Sequence, residues 1–262
     1  MLRVHPKGDP RGMDPTLLRN IRAIFFDLDG TLLEVEMDRF IPAYLRGLSG
    51  HLAEEGGSPG EIARLLLSTT GELLRGGNGH DSNEEAFLAA LQQRLGIDRE
   101  AFARRLGDYC ADGLTALAPL TRPIPLARPI LQTCFERGLT VAVATNPVFP
   151  RPVVDARLRW GQLDDFPFRQ VTTIENSRHC KPDPRYFADL MDALGVVPAE
   201  CVMVGNDALQ DLAARRVGIA TFLVDTYLVP RRSRREPPAD FRGGHEELLE
   251  FVARLGPAAV EN

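Results

Sequence analysis

Short apolar runs alternate with helical patterns along residues 120–225, and this alternation limits the possible folds more than any other feature of the chain. Residues 139–145 (LTVAVAT) and 201–204 (CVMV) are almost entirely apolar, as are strands that are buried on both faces. A helical stripe lies between them, with Asp183 as its N-cap and Pro184 in its first turn. Strands that alternate with helices form parallel sheets, so the pattern predicts a doubly wound α/β core.

Further apolar runs predict the remaining strands of this sheet. They are residues 23–26, 171–174 and 221–224, and helical patterns at 129–137 and 209–217 lie among them. The first run, AIFF, ends at Asp27 and breaks into the loop DLDGT, as expected of a buried strand that leads into a functional loop.

Polar side chains follow four of the predicted strands at the point where each strand ends. They are Asp27 and Asp29 after the first strand, Thr145 and Asn146 at the end of the second, Lys181 in the loop after the third, and Asp207 and Asp211 after the fourth. Because the carboxyl ends of parallel strands meet at one edge of a sheet, we expect these residues to converge on one crevice. Lys181 is one of two lysines in a chain with 29 arginines, which suggests that lysine is needed there.

Residues 35–120 have a different character, because helical patterns dominate and strand signals are missing. Four helices are predicted, at 40–52, 61–74, 82–95 and 99–117, with Ser82 and Glu85 forming a capping box at the start of the third. We therefore expect a helical domain at 35–120 inserted into an α/β core made of 19–34 and 121–262. Residues 1–18 are rich in Gly, Pro and charge and predict a loose lead-in, with Met13 as an alternative start.

Composition excludes several classes of function. Acidic residues exceed basic ones by 36 to 31, which provides no electrostatic footprint for nucleic acid or an anionic membrane. No apolar run approaches the ~18 residues of a membrane span, and the N-terminus lacks the apolar stretch of a signal peptide. The four cysteines form no CxxC pair, so a reducing, cytoplasmic setting is expected. We expect a monomer or a homodimer.

The polar residues at the strand ends predict a reaction on a phosphate group. Three or four carboxylates gathered in one cleft repel each other and need a cation, and oxygen ligands favour Mg²⁺. A lysine and a threonine hydroxyl beside them suit an anionic substrate, and phosphate fits best. The expected partner is a small phosphorylated molecule.

Four segments resemble the sequence motifs of the haloacid dehalogenase-like (HAD) hydrolase superfamily, in the order and spacing of that family. The segments are residues 26–32 (FDLDGTL), Thr145 at the end of VAVAT, Lys181 with Pro182, and residues 204–211 (VGNDALQD). The resemblance covers about residues 20–255. One large branch of the family carries a helical cap between its first two motifs, and the long stretch between Asp27 and Thr145 leaves room for one.

The resemblance implies a role for each motif residue. Asp27 is the expected nucleophile, which attacks phosphorus and forms an aspartyl-phosphate. Asp29 is the expected general acid–base, and its presence favours phosphoryl transfer, because family members that break carbon–halogen bonds have no acid at this position. Thr145, with Asn146 beside it, and Lys181 are expected to bind the phosphoryl group.

The fourth motif allows two assignments of its metal ligand. Asn206 or Asp207 can occupy that position, and Asp211 follows five or four residues later. An amide oxygen carries no net charge, so we favour Asp207, together with Asp27 and Asp29, as ligands of Mg²⁺. Asp211 and Asn206 are expected to contribute less directly.

The predicted function is thus a Mg²⁺-dependent phosphatase that acts on a small phosphorylated metabolite. A phosphomutase, which returns the phosphoryl group to its substrate, is one alternative, and a catalytically idle binding or regulatory module is another. The basic run at 231–235 is interpreted as a solvated loop, with a site for nucleic acid or another anionic partner as the alternative. The Gly-rich segment at 76–82, with His80, belongs to the predicted cap, and the sequence leaves open whether it faces the active site.

Overall fold

The computed structural model of the chain describes residues 18–76, 82–230 and 238–256. The predicted lead-in, apart from Leu18, therefore lies outside the described residues. The same is true of the basic run at 231–235 and of most of the Gly-rich segment, including His80.

The described residues contain one six-stranded parallel sheet and one two-stranded antiparallel ribbon. The strands are β1 (Ala23–Phe26), β2 (Leu33–Val35), β3 (Thr121–Pro123), β4 (Thr140–Val143), β5 (Gln170–Val171), β6 (Cys201–Gly205), β7 (Ala220–Val224) and β8 (Phe241–Gly243). The order in the sheet is β5-β4-β1-β6-β7-β8, so β1 lies inside the sheet with β4 on one side and β6 on the other. The predicted doubly wound core is confirmed.

Alternating side chains of β1 bury both faces of the sheet. Ala23 and Phe25 contribute to the apolar cluster on one face, where they are buried with Phe187 and other residues. Ile24 and Phe26 contribute to the larger cluster on the opposite face. Because both faces are covered by helices, every β1 side chain is apolar, which explains the unbroken AIFF run.

The α-helices of the described residues fall into an inserted group and a core group. They are α1 (Met37–Leu52), α2 (Pro59–Arg75), α3 (Asn83–Leu95) and α4 (Arg99–Asp112) in the insertion, and α5 (Ala127–Glu136), α6 (Arg151–Trp160), α7 (Pro184–Leu194) and α8 (His245–Val252) in the core. Among the residues that the structure describes, no helix is long and apolar enough to cross a membrane.

The helical insert, which we define as residues 35–120, connects to the core through the β2–β3 ribbon. β2 leaves the core and β3 returns to it, and they pair antiparallel with Glu34 opposite Arg122. All four predicted helices are present, and Ser82 caps α3 by accepting a hydrogen bond from the Glu85 backbone N–H at 3.1 Å.

Some predicted boundaries were wrong. The helix predicted at 99–117 ends at Asp112, and a 3-10 segment, Leu114–Leu120, follows the break at Gly113. The strand predicted at 171–174 is the two-residue β5, and the helix predicted at 209–217 is a 3-10 segment, Leu212–Val217. Helix α6 and the C-terminal β8–α8 unit were not predicted, because their short apolar stripes are interrupted by charged residues.

The insert packs directly on the core. Phe149, in the loop after β4, contacts the rings of Phe40 and Tyr44 on α1, with centroid separations of 6.2 and 5.2 Å. Asn83, the first residue of α3, is fully buried and donates a hydrogen bond from Nδ2 to the Pro147 carbonyl at 3.2 Å. Its backbone N–H donates to the Ser177 carbonyl at 2.8 Å. The insert therefore contacts the loop that follows Asn146 and the loop that precedes Lys181.

Candidate active site

The carboxyl ends of three adjacent strands bring the first predicted residues together. In the sheet register, Phe26 of β1 lies opposite Val143 of β4 and Val204 of β6. Asp27 follows Phe26 directly, and its backbone N–H continues the pairing by donating to the Val204 carbonyl at 2.8 Å. The residues that follow β4 and β6 are therefore neighbours of Asp27, as predicted from the strand ends.

Lys181 joins two of the predicted carboxylates. Its Nζ lies 2.7 Å from Asp27 Oδ1 and 2.7 Å from Asp211 Oδ1, and its side chain is only 1% exposed. Burial alone lowers the pKa of Lys181, but the carboxylates of Asp211 and Asp27 raise that pKa above its ordinary value. Burial raises the pKa of Asp211, and Lys181 opposes that rise. Lys181 is thus a buried cation held between two acids.

Asp29 has a different cation as its partner. The Arg157 guanidinium donates from Nη1 to Asp29 Oδ2 at 2.6 Å, and the Arg157 side chain is fully buried. Burial raises the pKa of Asp29, and the nearby Arg157 charge opposes this rise. Asp27 and Asp29 are therefore two residues apart on one loop and in different electrostatic surroundings.

The turn after Asp29 requires glycine. Gly30 has a φ of 84°, a conformation that favours residues without a Cβ. A Cβ at Gly30 would also overlap the side-chain amide of Asn206, which follows β6. The Gly30 position thus lets the first and fourth motifs approach each other closely.

The fourth-motif residues have three different sets of contacts. Asp207 accepts hydrogen bonds at Oδ1 from the backbone N–H groups of Leu209 and Gln210, at 2.9 and 3.2 Å, and so caps the turn that follows. Asn206 donates from Nδ2 to the Tyr227 carbonyl at 2.7 Å. Asp211 accepts at Oδ2 from the Asp207 backbone N–H at 2.9 Å, in addition to its contact with Lys181.

Thr145 and Asn146 lie at the end of β4, as predicted. Thr145 is buried, and its carbonyl accepts hydrogen bonds from the hydroxyls of Thr172 and Tyr186 at 2.7 and 3.0 Å. Asn146 donates from Nδ2 to the Gln210 side-chain oxygen at 3.0 Å. The first two contacts hold the end of β4 in place, and the third joins the loop that follows it to the fourth motif.

A family model described as a haloacid dehalogenase-like hydrolase matches residues 21–218, which is most of the chain and includes all the predicted site residues. The chain belongs to the haloacid dehalogenase-like hydrolase family. The predicted resemblance is confirmed.

Relatives of this hydrolase include several phosphatases. The pyrophosphatase PpaX of Anoxybacillus flavithermus is 28% identical over 203 residues, which cover 77% of this chain and 82% of that protein. The phosphoglycolate phosphatase of Rhodospirillum rubrum is 28% identical over 208 residues, covering 76% of this chain and 77% of that protein. Together with the family match, these similarities make the chain a hydrolase of the phosphatase type.

A solved structure has the same fold as this hydrolase. The crystal structure of a HAD phosphatase from Thermococcus onnurineus aligns with a TM-score of 0.55 at 22% identity, covering 90% of this chain and 99% of that one. At this level of identity the likeness concerns the fold, namely the parallel sheet and the helices inserted between its strands.

The oxygen atoms at the sheet edge fit a hard divalent cation. No group of three or more His, Cys, Asp or Glu side chains is arranged around a single point in the parts of the hydrolase that are described. Mg²⁺ usually takes only one or two carboxylates and keeps several waters, so it does not need such a group. Asp29 Oδ1 is buried and has no hydrogen-bond partner among the described residues, as expected of an oxygen that serves a ligand.

Sequence reasoning missed two residues that contact the site region of the hydrolase. Arg157 pairs with Asp29, and Asn83 joins the insert to the loop that follows Asn146. The spacing of Arg157 contained a signal, because it falls four residues after Val153 on the buried face of α6. An arginine on an apolar helix face is buried only with a partner, so a prediction of α6 as a helix would have indicated an anion near Arg157.

Proposed function

We propose that this phosphatase hydrolyses a small phosphorylated metabolite in a Mg²⁺-dependent reaction that passes through an aspartyl-phosphate on Asp27. The observation that carries the proposal is the Lys181 ammonium, buried at 2.7 Å from both Asp27 and Asp211. A buried ammonium beside the proposed nucleophile suits a reaction in which that carboxylate approaches a phosphate dianion. The Lys181 ammonium offsets the negative charge of the Asp27 carboxylate and of the substrate.

Asp27 attacks phosphorus, the bond from phosphorus to the leaving oxygen breaks, and the phosphoryl group becomes attached to the Asp27 carboxylate. Asp29 gives its proton to the leaving oxygen. In the second half of the reaction Asp29 takes a proton from water, which attacks the aspartyl-phosphate and releases inorganic phosphate.

The remaining residues bind and orient the phosphoryl group. The Thr145 hydroxyl and the Asn146 amide lie at the end of β4 and are the proposed hydrogen-bond donors to its oxygens. Asp27, Asp29 and Asp207 are the proposed ligands of Mg²⁺, with Asp211 and Asn206 in supporting positions. Bound Mg²⁺ would supply positive charge that offsets the repulsion between the carboxylates and the phosphate.

A panel of small phosphate monoesters with a phosphate-release readout, with and without Mg²⁺, tests the proposal. We expect release that requires Mg²⁺ and is abolished by EDTA. Full activity in excess chelator would contradict the metal dependence. Assays for isomeric sugar phosphates on the same samples separate hydrolysis from phosphomutase activity, and the lack of any turnover on an aryl phosphate would favour the idle module.

A further inference from the structure

The Arg157 side chain is buried with most of its hydrogen-bonding capacity unused. Its side chain has no solvent exposure, and its guanidinium carbon lies 4.4 Å from the centre of the Phe149 ring. Nη1 is bonded to Asp29, but Nε and Nη2 are buried without a hydrogen-bond partner within the described part of the chain. Buried N–H groups are rarely left unpaired, because losing their water costs free energy that only a new partner restores.

The two unpaired nitrogens form one recognition edge. In a guanidinium group, the N–H bonds of Nε and Nη2 are parallel and lie on the same side of the plane. This side binds the two oxygens of a carboxylate or of a phosphate at once. Nη1, on another edge, is the atom that holds Asp29. The ion pair with Asp29 therefore leaves the bidentate edge of Arg157 available.

The position of the Nε and Nη2 edge of Arg157 indicates which part of a substrate would contact it. Under the proposed function, Asp29 contacts the oxygen that leaves phosphorus, and Arg157 is directly bonded to Asp29 at 2.6 Å. The atoms near Arg157 are then those of the leaving group, within a few bonds of the leaving oxygen. Phe149, which covers one face of the guanidinium, is itself covered by Tyr44 of the helical insert. The leaving group would be enclosed between core and insert.

We propose that Arg157 is a specificity-determining residue that binds a second anionic group of the substrate, a carboxylate or a second phosphate carried by the leaving group. This inference rests on the proposed function, since it requires Asp29 to face the leaving group. It narrows the substrate class from phosphate monoesters in general to small substrates whose leaving group carries a negative charge of its own. A neutral leaving group would leave both Arg157 nitrogens unpaired in the complex.

The test compares 2-phosphoglycolate and pyrophosphate, which carry a second anion, with ethyl phosphate, which does not. The measured quantity is the preference, the ratio of kcat/KM for each anionic substrate to kcat/KM for ethyl phosphate. We expect Arg157→Gln to lower the preference by about 10- to 100-fold, as for the loss of charge-assisted hydrogen bonds. A loss with 2-phosphoglycolate alone assigns a carboxylate, and a loss with pyrophosphate alone assigns a phosphate.

Two further variants separate recognition from positioning and from folding defects. Arg157→Lys keeps a cation beside Asp29 but lacks two parallel donors, so we expect a smaller loss of kcat/KM on ethyl phosphate than on 2-phosphoglycolate or pyrophosphate, and hence a lower preference. Arg159→Gln removes an exposed arginine from the same helix and should leave the preference unchanged. An equal loss on all three substrates would overturn the inference, because Arg157 would then only position Asp29.

Failure of the inference can be distinguished from failure of the proposed function. Phosphate release from all substrates with no change of preference in the Arg157 variants overturns only the inference. Absence of release from any substrate by the unaltered protein overturns the proposed function. Calorimetric binding of 2-phosphoglycolate and ethyl phosphate to Asp27→Asn, with and without Arg157→Lys, tests the inference without turnover. Equal binding of the two ligands in the presence of Arg157 would contradict it.

Discussion

In the α/β core the charged side chains at the sheet edge are buried, whereas the ion pairs of the helical insert lie at its surface. Lys181 and Arg157 are 1% and 0% exposed and contact carboxylates at 2.6–2.7 Å. In the insert, Arg104 is 50% exposed where it pairs with Glu55. Solvent and salt can replace an exposed partner, but a buried charge that loses its partner has no substitute. The chemistry should therefore depend on the core pairs, and the insert pairs should be dispensable.

The insert also packs on the core through uncharged contacts. The aromatic rings of Phe40 and Tyr44 pack on Phe149, and Asn83 donates a hydrogen bond to the Pro147 carbonyl. Substitutions at this boundary should reduce activity or stability less than substitutions of the buried core charges, and more than substitutions in the exposed ion pairs. This ranking can be tested by one substitution of each kind.

The largest effect is expected for the two aspartates of the first motif. Asp27→Asn should abolish turnover and phosphoenzyme formation, because the amide is not a nucleophile toward phosphorus. Asp29→Asn should lower kcat by roughly 10²–10⁴-fold, the usual contribution of general acid–base catalysis. Phosphate release and radiolabel retained on the denatured protein are the two measurements.

A substrate with a good leaving group sharpens the distinction between these aspartates. Such a leaving group needs no proton, so Asp29→Asn should still become phosphorylated and then stall, while Asp27→Asn stays unlabelled. Wild-type turnover by Asp27→Asn would show that another residue is the nucleophile.

The next largest effect is on stability, when Lys181 is replaced by Met. The substitution leaves the Asp27 and Asp211 carboxylates buried without their shared cation. Breaking a buried pair in this way costs about 3–5 kcal/mol, which urea unfolding would measure. An unchanged unfolding midpoint would mean that the carboxylates are hydrated or protonated without Lys181.

A smaller effect, on the Mg²⁺ requirement, should rank the three residues of the fourth motif. Asp207→Ala is expected to raise the Mg²⁺ concentration for half-activation the most, and Asp211→Ala should cost about 10–100-fold, as is typical of groups that orient a ligand. Asn206→Ala should have the least effect on the metal, because its amide nitrogen already donates to the Tyr227 carbonyl. A larger requirement in Asn206→Ala than in Asp207→Ala would assign the ligand to Asn206.

At the boundary of insert and core, Asn83→Ala should destabilise the protein by about 1–3 kcal/mol, the cost of leaving a buried carbonyl unpaired. Asn83→Asp should behave similarly, because a carboxylate cannot donate to the Pro147 carbonyl. Gln93→Ala, at an exposed position of the same helix, is the matched control and should be neutral. Thermal unfolding of the three variants checks this. Equal unfolding midpoints for all three would show that the Asn83 hydrogen bond does not stabilise the protein.

The smallest effect is expected in the exposed pairs of the insert. Arg104→Gln removes a contact with Glu55, which also pairs with Arg105 at 2.6 Å. We expect unchanged kcat/KM, and any change in unfolding midpoint should vanish at about 1 M salt, where the screening length is about 3 Å. A lower unfolding midpoint that persists at high salt would mean that the contribution of this pair to stability is not a screened electrostatic attraction.

The sequence predicted the sheet edge well because strand ends are a topological property. Asp27, Thr145 and Lys181 could be placed near one another from the alternation of strands and helices alone. The cation that pairs with each carboxylate was harder to predict from the sequence. Arg157 is one of many arginines, and its helix α6 has a mixed pattern of charged and apolar residues that conceals its buried face.

The details of the fourth motif and of the insert could not be predicted for local reasons. The capping contacts of Asp207 with the backbone of Leu209 and Gln210 depend on the conformation of a short turn. The helices of the insert were predictable from their apolar stripes, but the stripe of α1 does not reveal that Phe40 and Tyr44 meet a core loop. Contacts between distant segments require the tertiary arrangement.

The β2–β3 ribbon gives the chain two crossing points that lie side by side, with Leu33 opposite Pro123. A segment whose two ends are adjacent can be lengthened, shortened or replaced without shifting the register of the sheet, as is usual for inserted domains. Genetic exchange at these two positions would therefore transfer a complete set of helices between relatives. Substitutions in the insert would then change its contacts with Phe149 and Pro147 without altering the strands that carry Asp27 and Asp207.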